Sequence, residues 1–332
     1  MVTIIDVAAE AGVSVATVSR VLNDSYSVTN EKKELVLEAI KKTGYVIPAR
    51  MKIANPSITK TTILIITNVL IGKIIDSIQL SAKDLGYHSV SYCYKAPEDF
   101  DNLKSLIDTF SHNLAGIILI NAIDSSEAFQ SLISPYPVVQ IGEPILEHQE
   151  NYVVYSDEIA MAYDATTYLL KNGKKNLGLL TFEANSVKLF SSHKREKGFY
   201  LALLDYGMQI DTKNIVYTDV TIEGGYDATI KLLKTTSDID AIVCTCDAIA
   251  LGCLHGLLSQ SIPSTDILPL SLDYNEVWEL FNPFIPYVDP HLEKIGYASV
   301  QLLNSIINGD TISDSYRIIP HELVLKPSRK NL

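Results

Sequence analysis

The chain has 332 residues, of which 47% are hydrophobic and 20% charged, so it can bury the cores of two or three domains and is not globally disordered. Its formal net charge of −12 is unevenly distributed: residues 1–60 carry eight basic and six acidic side chains, whereas the remaining residues carry 19 and 33. This distribution excludes a nonspecific coat on nucleic acid or on an anionic membrane, yet it leaves the first 60 residues suited to meet phosphate.

The first 45 residues predict three short helices, each begun by a serine or threonine cap. The caps are Thr3, Ser14 and Thr29. Gly12 suits the left-handed residue that ends the first helix, and the second helix is expected over Val15 to Leu22. Two helices joined by a tight glycine-containing turn, with a third closing the core, are typical of the helix-turn-helix arrangement. The pattern therefore predicts an all-α three-helix head over residues 1–46.

Residues 47–61 are predicted to form a linker or hinge. They contain Pro48, Pro56 and several basic side chains, and they lack a sustained apolar period. Pro56 also opposes a helix that would continue through it.

From Thr62 onward, short apolar strands alternate with amphipathic stretches, which is typical of parallel sheets covered on both faces. Strands are expected at Ile63–Thr67, Ser89–Tyr94, Gly116–Asn121, Val138–Ile141, Leu177–Phe182, Ala241–Thr245 and Ile267–Leu272. The number of strands predicts two similar α/β lobes, with a ligand crevice at the carboxyl ends of the strands. Within residues 62–332 we place the first lobe at about residues 62–157 and 291–317, and the second at about 158–290 and 318–330.

The second helix carries side chains that suit DNA. They are Ser14, Val15, Ala16, Thr17, Ser19 and Arg20, on the face opposite the apolar stripe. Slim residues let a helix approach base edges in the major groove, hydroxyls near its start hold phosphate, and Arg20 one turn on can reach guanine. The same composition fits the solvated face of an ordinary helical hairpin equally well.

The run from Thr3 to Asn23 resembles the N-terminal signature of the lactose/galactose repressor family of transcription regulators, and the resemblance continues through Gly44 and Tyr45. At lower density it extends over Asp157–Leu169, Arg195–Phe199, Asp247–Gly252 and Asp266–Asp273. The resemblance implies a bilobed α/β body like that of periplasmic binding proteins, with two parallel sheets, behind the helix-turn-helix head.

For DNA, Val15 and Ala16 match the pair that chooses operator bases in this family, and a Val-Ala pair is similar to that of the galactose-repressor subgroup. Arg20 matches the base-contacting arginine. Positions that match phosphate-facing or capping residues are Thr3, Ser14, Thr17, Asn23 and Ser27.

The linker departs from the family, whose members usually carry Pro-Asn-x-x-Ala-Arg-x-Leu with a leucine that wedges into the minor groove. In residues 47–56 this motif is shifted and its leucine is absent. Arg50 belongs to the shifted motif, and Met51 or Ile53 is available as an apolar wedge. A flexible linker without a wedge is the alternative.

For the effector, the family places an arginine and an aspartate in the crevice, and Arg195 and Asp273 occupy the matching positions. An arginine supplies planar donors and a carboxylate accepts hydroxyl protons, so the pairing suits a polyol, although a surface salt bridge is the alternative. The other candidate effector residues are Cys246, Asp247, Asn68 and Glu143. Cys246 replaces the usual asparagine and is a poor hydrogen-bond partner for a sugar.

The resemblance implies a repressor of carbohydrate-utilisation genes that binds a pseudo-palindromic operator as a homodimer. A small sugar between the lobes would change their closure, and the shifted population of states would change operator affinity. A nucleobase or another non-sugar ligand is the alternative effector.

Two rival classes of protein find less support. No phosphate-binding glycine loop, nucleophile elbow or zinc-protease motif indicates an enzyme, although a sugar kinase with a DNA-binding head is conceivable. A transport-type sugar-binding protein would share the bilobed body, but the N-terminal helices and the missing secretion signal argue against it.

No apolar run reaches the roughly 18 residues of a membrane helix. The cysteines are Cys93, Cys244, Cys246 and Cys253. They are too few for a disulfide framework and lack the spacing of a zinc knuckle, so we expect four buried thiols in a reducing cytoplasm, without metal or cofactor.

We predict that Arg20→Ala weakens operator binding by about 1–3 kcal/mol and relaxes specificity at one base pair, because the guanidinium would lose a bidentate contact with guanine. Binding to a set of single-base operator variants measures both effects. An equal loss on every sequence would instead indicate a contact with phosphate.

Overall fold

The computed structural model describes residues 3–22, 30–43, 60–68, 71–95, 97–121, 124–142, 151–182, 191–275 and 285–325. The chain divides into two compact units, Met1–Thr61 with Ser111–Ala115, and Thr62–Phe110 with Gly116–Leu332. We call them the head unit and the body unit and describe each separately.

Within its described residues, the head unit contains three helices, as the sequence predicts. They are α1 (Ile4–Ala11), α2 (Val15–Leu22) and α3 (Asn30–Thr43). Val7, Val18 and Val36, one from each helix, are fully buried and form the centre of a small apolar core. Gly12 has a φ of 63°, so it turns the chain sharply between α1 and α2 in a conformation that glycine adopts without a steric penalty.

The body unit alternates strands and helices. Its helices are α4 (Gly72–Asp84), α5 (Phe100–Phe110), α6 (Glu127–Ile133), α7 (Glu158–Lys171), α8 (Ser191–Asp205), α9 (Ile222–Thr235), α10 (Asp247–Ser259) and α11 (Leu292–Ile307). Its strands are β1 (Thr62–Thr67), β2 (His88–Cys93), β3 (Leu114–Ile120), β4 (Val138–Ile141), β5 (Val153–Tyr155), β6 (Leu177–Thr181), β7 (Ile215–Tyr217), β8 (Ala241–Cys244), β9 (Leu268–Ser271), β10 (Tyr287–Asp289), β11 (Tyr316–Ile318) and β12 (Glu322–Val324).

These strands form two six-stranded sheets, one in each lobe. The order is β11-β5-β4-β3-β1-β2 in the first and β12-β10-β9-β8-β6-β7 in the second. The strand order reverses between β1 and β3 in the first sheet and between β6 and β8 in the second. Ligands of open α/β sheets bind at such switch points, outside the carboxyl ends of the strands.

The bilobed α/β prediction is confirmed, and all seven predicted strands are present within one or two residues. The sequence pattern does not predict β5, β7, β10, β11 and β12, because these strands have three residues each and are too short to show an apolar period. One of them, β12, pairs antiparallel with β10, so the second sheet is mixed.

The prediction of four buried cysteines is wrong for one of them. Cys244, Cys246 and Cys253 are buried, but Cys93 is exposed. It ends β2, an edge strand whose residues are all exposed or only partly buried. Such a strand exposes part of its length to solvent.

The chain passes between the lobes three times: from β5 to α7, from β10 to α11 and from β11 to β12. Two of these passages touch, because the Ser156 hydroxyl donates a hydrogen bond of 3.1 Å to the carbonyl oxygen of Pro290. The lobes are therefore joined by several short segments rather than by one linker, an arrangement that suits hinge motion between them.

Close helix packing in the second lobe depends on glycine. A Cβ atom on Gly252 of α10 would clash with the carbonyl oxygen of Ile222 and lie 2.6 Å from the nitrogen of Tyr226 on α9. We expect Gly252→Ala to lower the free energy of unfolding by about 1–3 kcal/mol, because the added methyl group would press against the backbone of α9, which cannot move aside as a flexible side chain can. Gly72→Ala is the control, since nothing lies within 4 Å of its Cβ position. Urea unfolding of both variants tests this, and an equal effect would contradict it.

Candidate effector site and DNA-binding head

Arg195 is the centre of a polar network in the second lobe. It lies on α8 and only 7% of its surface is exposed. Nη1 donates a hydrogen bond to Asp273 Oδ2 (2.9 Å) and Nη2 donates to Asp273 Oδ1 (3.1 Å), so the two side chains form a bidentate ion pair. Nε donates to Glu158 Oε2 at 2.5 Å, and Nη1 also donates to the carbonyl oxygen of Thr245.

The fold explains why these groups meet. Thr245 follows β8 and Asp273 follows β9, so neighbouring parallel strands deliver both to one edge of the sheet. Glu158 is the first residue of α7, which packs against α8. The structure thus brings together the predicted pair and adds Glu158, which the sequence reading did not single out.

The network has more carboxylates than cations. Burial raises the pKa of Asp273 to about 6; Arg195 opposes this rise, and the neighbouring Glu158 and Asp247 carboxylates add to it. Burial by itself would lower the pKa of Arg195, but Asp273 and Glu158 together hold that pKa well above its usual value. Arg195 is therefore charged under all ordinary conditions, and Asp273 titrates in a mildly acidic range.

Cys246 and Asp247 lie beside this network at the start of α10. Asp247 Oδ1 accepts from the Ala248 nitrogen (2.8 Å), and its Oδ2 accepts from Nδ2 of Asn275 (2.7 Å). Burial raises the pKa of Cys246 to about 12, so the thiol stays protonated and is not a nucleophile at neutral pH. Both residues are placed at the crevice edge, where Asp247 ties α10 to the segment that follows Asp273.

Three buried polar atoms at the carboxyl ends of strands lack a hydrogen-bond partner within the described residues. They are Oδ1 of Asn68, Nδ2 of Asn121 and Oγ1 of Thr181. Asn68 and Asn121 follow β1 and β3, and Thr181 ends β6, so all three flank the two switch points. A buried polar group without a hydrogen-bond partner costs free energy, and a bound ligand would supply the missing hydrogen bond. Asn68 was predicted as a site residue from the sequence, whereas Asn121 and Thr181 were not, although each is a polar residue directly at the end of an apolar run.

In the head unit, hydroxyl groups gather at the N-terminus of α2. The Ser14 hydroxyl lies 2.9 Å from the Thr17 hydroxyl and accepts a hydrogen bond of 3.1 Å from the Thr17 nitrogen. Val15 is 41% exposed, so the first turn of α2 presents a slim side chain to solvent. The Thr3 backbone nitrogen donates a hydrogen bond of 2.7 Å to Asp6 Oδ2, which caps α1, and the Thr3 hydroxyl donates to the same oxygen at 2.8 Å.

Of the remaining predicted DNA-binding, hinge and effector-binding positions, only some fall within the described residues. Ala16, Ser19 and Arg20 belong to α2. Asn23, Ser27, Arg50, Met51, Ile53 and Glu143 lie outside the described residues.

A three-helix head that presents a capped recognition helix, combined with a bilobed α/β body that carries unsatisfied polar groups at its switch points, defines a ligand-responsive DNA-binding protein. Comparison with known families agrees. Residues 3–47 match bacterial regulatory proteins of the lacI family, and residues 71–326 match the periplasmic binding proteins and sugar-binding domain of the LacI family. The chain belongs to the LacI family.

Known proteins resemble the chain over nearly its whole length. Catabolite control protein A of Priestia megaterium is 29% identical, with 99% of each chain covered. The transcriptional repressor CytR of Escherichia coli (strain K12) is 25% identical over 99% of this chain and 97% of that protein. The lac repressor dimer bound to operator shares the fold, with a TM-score of 0.71, 20% identity and 98% of each chain covered.

The chain is accordingly a DNA-binding transcription regulator and not an enzyme. Regulators of this family bind operator DNA as dimers and respond to small-molecule effectors. None of the helices in the described ranges combines the length and apolar character needed to cross a bilayer.

The raised pKa of Asp273 has a consequence for stability. The carboxyl keeps its proton up to about pH 6 in the folded chain but loses it near 3.8 when unfolded, so the native state binds more protons between these values. The contribution of this group to the free energy of unfolding therefore falls as the pH rises from about 4 to about 6.

We expect the stability of the wild type, relative to Asp273→Asn, to fall over the same range, because the amide does not titrate. Urea unfolding of both proteins at about pH 4.5 and about pH 7 measures the difference. A relative stability that rises with pH would show that the contact with Arg195 outweighs burial.

Proposed function

We propose that the chain is a cytoplasmic repressor of carbohydrate-utilisation genes whose operator affinity is modulated by a small, uncharged sugar held between the two lobes. Residues 1–46 would form the DNA-binding domain, residues 47–61 the hinge, and residues 62–332 the domain for effector binding and dimerisation. The observation that carries this proposal is the ion pair of the buried Arg195 with the partly buried Asp273, together with polar atoms at both switch points that lack a hydrogen-bond partner within the described residues.

The chemistry of these groups suits sugar hydroxyls. The ionised Asp273 carboxylate accepts hydroxyl protons, whereas Arg195 and the Asn121 amide nitrogen donate. Four of the five N–H groups of Arg195 are used within the protein, so its main task is to orient Asp273. The structure of the transcriptional regulator CelR in complex with cellobiose resembles this chain with a TM-score of 0.71 and 23% identity, with 98% of this chain and 99% of that chain covered.

A nucleobase is the second candidate ligand, favoured by the two asparagines. Oδ1 of Asn68 is an acceptor and Nδ2 of Asn121 is a donor, and they follow neighbouring strands. A donor and an acceptor side by side complement the edge of a base as well as two hydroxyl groups. Glu143, Cys246 and Asp247 remain candidate contacts for either ligand.

For DNA, we infer that α2 enters the major groove with Val15 and Ala16 against base edges and Arg20 on guanine. Thr3, Ser14, Thr17, Ser19, Asn23 and Ser27 would hold phosphate or cap the helices. The exposed Val15 and the paired hydroxyls of Ser14 and Thr17 support this orientation. Arg50 would reach the DNA from the hinge, with Met51 or Ile53 as the wedge.

The regulation would follow from a population shift. A ligand that binds one degree of lobe closure better than another shifts the balance between them, and the spacing of the two heads in the dimer changes with it. A ligand with equal affinity for both states would change nothing.

We predict that a matching sugar raises thermal stability, by about 2.7 kcal/mol at 100 times its Kd, and alters binding to an operator selected from a randomised DNA pool. Asp273→Asn should abolish both responses to the sugar, while the variant should still bind the selected operator, since its head is untouched. Asp266→Asn, an exposed aspartate on the approach to β9, is the matched control and should respond like the wild type. Responses to nucleobases alone would favour the second candidate, and responses that survive in Asp273→Asn would contradict the site.

A further inference from the structure

One contact crosses the crevice between the lobes. Nζ of Lys73 lies 4.2 Å from the centroid of the Tyr274 ring, which is the geometry of a cation–π interaction. Lys73 is the second residue of α4, which follows β1 of the first sheet, whereas Tyr274 follows β9 of the second sheet. Both residues come after the carboxyl ends of their strands, so the contact lies on the ligand side of the molecule.

On the second lobe, Tyr274 is held at three points. Its neighbour Asp273 is bound bidentately by Arg195, and its neighbour Asn275 donates to Asp247. The Tyr274 ring itself packs on the buried ring of Tyr287, with centroids 5.0 Å apart. A displacement of Asp273 on ligand binding would therefore move the Tyr274 ring as well.

On the first lobe, Lys73 belongs to a helix that is packed firmly against its neighbour. Its helix α4 packs against α11, where the Ser77 hydroxyl donates a hydrogen bond of 2.6 Å to the Glu293 carbonyl oxygen. Nζ of Lys73 also lies 3.8 Å from Oε1 of Glu293, but that carboxylate is 73% exposed and such pairs contribute little. The contact with the Tyr274 ring is one through which Lys73 can act on the opposite lobe.

We propose that Lys73 is a positioning residue. Its contact with the Tyr274 ring stabilises one relative orientation of the two lobes and couples movement of the Asp273 segment to lobe closure. A cation over a tyrosine face at a partly exposed site shifts an equilibrium about two- to five-fold. A contact of this size suits a switch, because a ligand of ordinary affinity can overcome it.

Matched substitutions separate the ring contact from the ion pair. Lys73→Met removes the charge but keeps the length of the chain, whereas Lys73→Arg keeps a cation. Tyr274→Leu removes the ring, whereas Tyr274→Phe keeps it. Glu293→Gln removes the ion pair alone.

The distance between the lobes is the readout, measured by pulsed electron spin resonance in the full chain without ligand or DNA. One spin label is placed on the exposed Cys93 of the first lobe and the other on Lys231→Cys, an exposed position of α9 in the second lobe. Labelled protein is mixed with excess unlabelled protein, so that each dimer carries at most one labelled chain.

We expect Lys73→Met and Tyr274→Leu each to raise the population of wider distances about two- to five-fold. The double variant should add nothing further, and Lys73→Arg, Tyr274→Phe and Glu293→Gln should match the wild type. Unchanged distances in both Lys73→Met and Tyr274→Leu would overturn the proposal, and so would an equal widening in Glu293→Gln. The result does not depend on which ligand binds, so its failure is distinct from failure of the proposed effector site.

Discussion

A guanidinium group that is removed from water needs carboxylate or carbonyl oxygens as hydrogen-bond acceptors, and Arg195 has them on three other segments of the chain. The group itself comes from α8, and its partners come from the start of α7 and from the ends of β8 and β9. A buried charge that loses one partner leaves the others unpaired, which costs several kcal/mol. The whole crevice edge of the second lobe is therefore organised around this one side chain.

The same constraint links the site to the movement of the lobes. Asp273 is fixed by Arg195, and the next residue along the chain, Tyr274, touches Lys73 on the other lobe. In the proposed mechanism, a ligand that competes for Asp273 would act on a segment that both completes the site and bridges the crevice. Ligand binding and lobe closure would then be energetically coupled, and control of operator affinity by an effector requires such a coupling.

The sequence predicted the head well because its signals are local. A hydroxyl cap, an apolar stripe at helical spacing and Gly12 each act within a few residues, and the observed helices follow them. The pairing of Arg195 with Asp273 came from resemblance alone, since nothing in the spacing of two residues 78 positions apart announces a contact. Glu158, Asn121 and Thr181 escaped notice for the same reason: each looks ordinary until the strand ends are brought together.

By itself, the sequence determined the three-helix head, the alternation of strand and helix, and the family to which the chain belongs, because these depend on neighbours along the chain. The tertiary structure decided the three-residue strands, the antiparallel pairing of β12 and the partners of Arg195. It also decided that Lys73 meets Tyr274. Such contacts join residues far apart in the chain, and only the packing of helices on sheets determines which of them come within reach.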